Sequence, residues 1–112
     1  MNNKIILENC TPHRISVDAN GTTDIFPPTG IIPRVESIET PGDSIGVIPV
    51  IIRELGKVTG LPLQKEGTIL IVSSMVLSAS DRTDLVAPDT GVTAIRKDGK
   101  IEAVTRLVRR AL

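Results

Sequence analysis

The sequence predicts a mainly β, α+β fold: a compact curled sheet or small barrel of about seven or eight short strands, with one short helix at residues 74–80. Three observations carry this. Eight prolines and nine glycines punctuate short runs of β-branched residues. Two Xaa-Gly dipeptides, Asn20-Gly21 and Asp98-Gly99, sit between extended-looking segments, and both favour two-residue hairpin turns. A continuous apolar run, Thr68-Ile69-Leu70-Ile71-Val72, is followed at once by Ser73-Ser74 and a short Met-Val-Leu stretch. No long segment keeps a helical period, so an all-helical fold is excluded.

In chain order, residues 5–7 begin a first strand that ends near Thr11-Pro12. Residues 14–19 and 22–26 pair through Asn20-Gly21, and the alternation in Arg14-Ile15-Ser16-Val17-Asp18 exposes one face of that hairpin. Pro27-Pro28-Thr29-Gly30 turns the chain. Residues 32–39 read as a strand that, with Pro33, lies at an edge or begins late. After Pro41-Gly42-Asp43, residues 45–55 hold two short strand candidates split by Pro49, and residues 56–62 read as loop. Residues 68–72 have the unbroken apolar character of a central strand buried on both faces. Ser73 or Ser74 then supplies a helix N-cap. Residues 80–91 read as a polar loop, and residues 92–97 and 100–107 as a closing hairpin.

Composition narrows the function. At 112 residues the chain has the length of one domain, 1–112, with a core to be built from Ile, Val and Leu because Phe26 is its only aromatic. Homo-oligomerisation would compensate for the area that missing rings forgo. Thirteen basic and thirteen acidic residues give no net charge, which argues against a nucleic-acid or membrane partner. The cluster Arg106, Arg109 and Arg110 reads as a solvated tail. One cysteine, Cys10, allows no internal disulfide, no stretch is long enough to span a bilayer, and the apolar run at residues 5–7 is too short for a secretion signal. Cytoplasmic residence is the expectation.

Three segments carry candidate chemistry. In the polar stretch 80–91, Arg82, Asp84, Asp89 and Thr90 are candidate ligand contacts, set against the alternative of a surface loop that satisfies its own backbone. The triplet Asp89-Thr90-Gly91 matches that of aspartic proteases, but Pro88 precedes it and too little chain follows for the rest of that architecture. At the Ser73-Ser74 junction, free N–H groups and hydroxyls offer an anion site that Arg82, Arg34 or Arg96 would complete, set against ordinary capping. In Asn9-Cys10-Thr11-Pro12-His13, the sole histidine His13 is a further candidate contact, set against a structural turn with His13 hydrogen-bonded to backbone, while one Cys and one His are too few for a zinc site without carboxylates. No catalytic set and no cofactor site stands out, so the residues read against an enzyme.

Across nearly the whole chain, Asn9-x-Thr11-Pro12-His13-x-Ile15, Gly60-Leu61-Pro62, Gly67-Thr68-x-x-Ile71-Val72-Ser73, Arg82-x-Asp84-Leu85-Val86-x-Pro88-Asp89-Thr90-Gly91 and Ala94-Ile95-Arg96 with Gly99 resemble a family of small uncharacterised phage, prophage and bacterial proteins. Cys10 stands where a Leu would be usual. The resemblance implies a phage-encoded origin and hence residence in host cytoplasm.

The expected function is non-catalytic sequestration of a small anionic, nucleotide-like ligand or signal, countering host defence. One alternative is an interaction module that inhibits a host enzyme or serves as a minor virion component. Another is a small hydrolase using Asp84 or Asp89. The binding expectation requires the end of residues 68–72 and the stretch around Pro88 to face one hollow.

Overall fold

The computed structural model describes residues 4–111; the N-terminal reading at residues 1–3 lies outside them. Its centre is a four-stranded sheet in the order β1-β6-β7-β10. The apolar run forms β6 (Thr68–Ile71), flanked in parallel by β1 (Ile6–Asn9) and β7 (Leu85–Pro88). Strand β10 (Leu107–Val108) closes the far edge antiparallel to β7. Successive side chains of a strand point to opposite faces, and both central strands use this fully. Leu70, Val72, Leu85 and Ala87 pack on one face with Cys10 and with Val76 and Leu77 of the helix α1 (Ser74–Ala79). Ile71 and Val86 pack on the other with Ile15 and Val104. Burial on both sides explains why β6 shows no polar alternation.

The second face is covered by two hairpins. Strands β2 (Ile15–Ala19) and β3 (Thr22–Phe26) join through Asn20 and Gly21, whose φ values of 53° and 77° are the left-handed pair such a turn requires. Strands β8 (Ile95–Lys97) and β9 (Lys100–Ala103) join the same way through Asp98 at 53° and Gly99 at 77°. Backbone bonds Asp18 N–H to Val104 O (2.8 Å) and Val104 N–H to Ser16 O (2.9 Å) tie the hairpins together.

Strands β4 (Arg34–Pro41) and β5 (Ile51–Thr59) form a long two-stranded arm. Its root packs Val35 and Val58 against the helix-side core, and its tip is a tight turn in which Ile45 and Ile48 exchange backbone hydrogen bonds of 3.0 and 2.9 Å around Gly46. The arm gives the molecule an extent of 60 × 37 × 28 Å.

The expected class is therefore the observed one, and the sheets stay open, so the curled sheet forms and not a barrel. The described residues hold ten strands, more than the seven or eight expected. Residues 56–62 are loop only from Gly60 onward. A bulge between Val35 and Ser37 lets β5 run on to Thr59, with Gly56 fitted against the Glu36 side chain. Pro49 does not split two strands but lies in the arm's tip. The stretch 80–91 is not all loop, because its short apolar core Leu85-Val86-Ala87 is a central strand. Residues 92–94 turn before β8 starts, and Leu107 leaves the last hairpin to pair with Pro88.

One buried side chain pins the layers. Asn9, 1% exposed at the end of β1, donates through Nδ2 to the carbonyls of His13 (2.7 Å) and Phe26 (2.8 Å). Its Oδ1 accepts from the Thr11 backbone N–H (2.9 Å) and hydroxyl (2.7 Å). Its own carbonyl accepts from the backbone and hydroxyl of Thr29, both at 2.9 Å. Replacing Asn9 by Leu strands several buried polar groups at once, and we expect a loss of about 3 kcal/mol in urea unfolding; a loss under about 1 kcal/mol would remove Asn9 from this role.

Candidate functional site

The polar groups of the crossover from β6 to β7 are organised by one ion pair. Arg82 presents Nε and Nη2 to Asp84 Oδ1 and Oδ2 at 2.9 and 2.6 Å, a two-pronged contact. Its Nη1 donates to the Pro62 carbonyl at 2.8 Å, so the pair also anchors the loop that leads into β6. Asp84 is 5% exposed and Arg82 23%. The hydrogen-bonded carboxylate pushes the guanidinium further above its ordinary range, so it stays charged. Because removing Arg82 leaves the nearly buried Asp84 carboxylate unpaired, Arg82→Ala is expected to cost about 3 kcal/mol. The double change Arg82→Met with Asp84→Leu should cost clearly less than the two single losses added. Additive losses in urea unfolding would contradict a coupled pair.

At the opposite end of β7, roughly 13 Å away for four extended residues, Asp89-Thr90-Gly91 folds on itself. Asp89 Oδ1 accepts the Gly91 N–H at 3.0 Å and Oδ2 accepts from Arg106 Nε at 2.6 Å. Arg96 caps the same turn from outside, donating to the carbonyls of Thr90 (2.7 Å) and Gly91 (3.1 Å). The Arg106 guanidinium, then the Gly91 N–H, hold the Asp89 carboxyl below the usual aspartate range. A lowered folded value contributes stability above the ordinary aspartate range, and this is lost as pH falls through the folded value. In a carboxyl NMR titration Asp89 should titrate below an ordinary aspartate, and Arg106→Ala should move its midpoint upward. An unmoved midpoint would discard the pairing.

The structure separates the remaining candidates. Ser73 Oγ accepts from the Val76 N–H at 3.2 Å as the N-cap of α1, a helix of six residues. Ser74 begins the helix in an exposed position. Neither lines any of four main clefts among the described residues. Arg34 opens β4 opposite Thr59, exposed and likewise outside these clefts. His13 and Thr90 do come together with Pro88, in a mostly apolar cleft of ≈ 280 Å³ roofed by β9. The parallel register, with Ile71 opposite Val86, puts the end of β6 and Pro88 at the same end of the sheet, and the cleft at Pro88 is lined by β9 and the 13–16 segment and not by β6.

Cys10 is buried beside Thr29, and burial pushes its thiol up, only partly offset by the Thr29 hydroxyl. Among the described residues no group of three or more His, Cys, Asp or Glu is placed to hold a metal, and no helix is long and apolar enough to cross a membrane.

The largest of these four clefts lies elsewhere. A cleft of ≈ 690 Å³ opens between the root of the arm, the C-terminal end of α1 and the chain's C-terminal segment. Lys57 and Arg110 line it with Arg82, and Asp81 is its one acid. A smaller hollow of ≈ 270 Å³ beside it shares Asp81, Arg82 and Arg110 and adds Arg109. Arg110 is fixed by donation to the Ser80 carbonyl at the helix end, where the helix dipole favours a cation. Arg82 has its charge matched by Asp84, so Lys57, Arg109 and Arg110 are the cations open to a ligand. The sequence reading missed all three as site residues: Lys57 looked like loop, and the arginines looked like a tail whose partner lies thirty positions away.

The chain matches no protein-family model, no curated protein and no solved structure.

Proposed function

We propose that this chain is a non-catalytic binding protein that sequesters a small anionic, nucleotide-like ligand in the cleft between the arm root and the C-terminal segment. The observation that carries this is the convergence of Lys57, Arg109 and Arg110 on a cleft system whose single acid is Asp81. A hollow of ≈ 690 Å³ falls in the range that holds a small organic ligand. Guanidinium groups suit phosphate oxygens by geometry as well as by charge. The site differs from the one expected at Ser73-Ser74, and Arg82 serves it as a braced wall.

The hydrolase alternative has less support, because Asp84 and Asp89, the carboxylates it would use, are each engaged by an arginine. The counter-defence setting rests on the resemblance of the motifs to phage-encoded proteins, and sequestration without turnover is the behaviour that setting calls for.

Cyclic dinucleotides of differing linkage, with inorganic phosphate as a simple anion, are the probes. Binding is expected by calorimetry, with the ligand recovered intact after the protein is denatured. Arg110→Glu and Lys57→Glu should each weaken it roughly tenfold or more, the scale of a lost charge-assisted hydrogen bond. Recovery of cleaved ligand, or affinity unchanged by both reversals, would refute the reading.

A further inference from the structure

The β4–β5 arm breaks a rule that water-exposed hairpins obey. Cross-strand partners share a face, so Leu55 (opposite Ser37) and Ile51 (opposite Pro41) lie on one side, and Ile38 (opposite Glu54) and Ile52 (opposite Thr40) on the other. All four are exposed, as are Ile45, Val47 and Ile48 at the tip, Val47 to 97%. A two-stranded hairpin alone in water is marginal, and apolar residues on both of its faces give it nothing to bury them against.

The whole molecule shows the same surplus. A folded monomer of this mass exposes about 6,000 Å², whereas this chain exposes 8274 Å². Its radius of gyration is 16.8 Å, against about 13 Å for a compact chain of its length. The excess, roughly 2,000 Å², is more than twice what each partner contributes to a standard stable interface.

We propose that the arm is the interface between two copies of this chain. The arms pack side by side and antiparallel about a two-fold axis, so that each tip reaches the root of its partner's arm. Three features favour a second copy over other occupants. Between Thr40 and Ile52 the only charged residue is Asp43, and the charges of the root half are of both signs, three acidic and three basic, so a second copy meets no excess of like charge. The arm has no aromatic residue, and so lacks the Trp and Tyr anchors of a typical heteromeric hot spot. A tip whose one charge is acidic, without an aromatic residue and with its one adjoining base, Arg53, paired to Glu39, is poorly suited to an anionic membrane surface. The two-fold arrangement also bears on the cleft: its wall at Lys57 and Val58 is the arm root, so the partner's Ile45–Ile48 turn becomes a second wall over a hollow that one copy leaves open.

Analytical ultracentrifugation of the full chain tests this. The wild-type chain should sediment as a dimer. Ile48→Asp combined with Ile51→Asp should raise the dimer dissociation constant at least about a hundredfold by placing unpaired charges in the interface, with far-UV circular dichroism and the urea midpoint of the dilute monomer unchanged. Hydrogen exchange needs no variant: amides of Ile51–Leu55 should gain protection as protein concentration rises. A monomeric wild-type chain, a dimer that survives the double change, or an arm protected only on adding phosphatidylglycerol vesicles would each overturn the proposal. None of these readouts involves the ligand, so they stand apart from the binding test.

Discussion

Asn9 is the constraint on which the arrangement depends. It ends β1, and from there one amide side chain and one carbonyl hold the 10–14 turn, the end of β3 and the start of the connection to β4. All four hydrogen-bonding positions of the amide are filled, the condition under which a buried polar group fixes a geometry without costing stability. Without it, the β2–β3 hairpin would keep only its bonds to Val104 and its apolar packing, and the chain around Ile15 and Phe26, which close the second core layer, would lose its polar anchor.

This recasts the motif Asn9-x-Thr11-Pro12-His13. His13, a candidate contact in the sequence, contributes its carbonyl to the cluster, and its ring stands exposed at the rim of a mostly apolar cleft. Asp89-Thr90-Gly91 behaves similarly, its carboxylate closing a turn and meeting Arg106. Arg82 and Asp84 serve each other first. The polar residues of these motifs fix the backbone between them, and the open cations are supplied by a strand and a terminal segment whose sequences carry no motif.

The parts of the fold that were legible in the sequence are those set locally. Asn20-Gly21 and Asp98-Gly99 announce their hairpins because positive φ is a property of two adjacent residues. β6 is legible because burial on both faces leaves an unbroken apolar run, and α1 because Ser73 caps it. β7 was hidden because three apolar residues among Asp, Thr and Pro look like loop until β6 and β10 are placed beside them. β5 was cut short because Gly56 looks like a breaker, whereas the bulge that accommodates it depends on Glu36 across the strand pair. For the site, Arg82 and Asp84 could be named but not paired, since a spacing of two does not by itself say whether two side chains meet. Lys57, Arg109 and Arg110 could not be assembled at all, since nothing near them in sequence reports the cleft that they line.

The pairing of β1 with β6 has a consequence for how the chain comes together. These strands are separated by the whole stretch from Cys10 to Gly67, so the sheet waits on closure of a long loop, and such high contact order slows folding. The β4–β5 hairpin lies inside that loop and needs only its own turn, an event of microseconds. Until that long loop closes, the ribbon's apolar residues have no sheet beside them, and an incompletely condensed chain of this kind is exposed to aggregation.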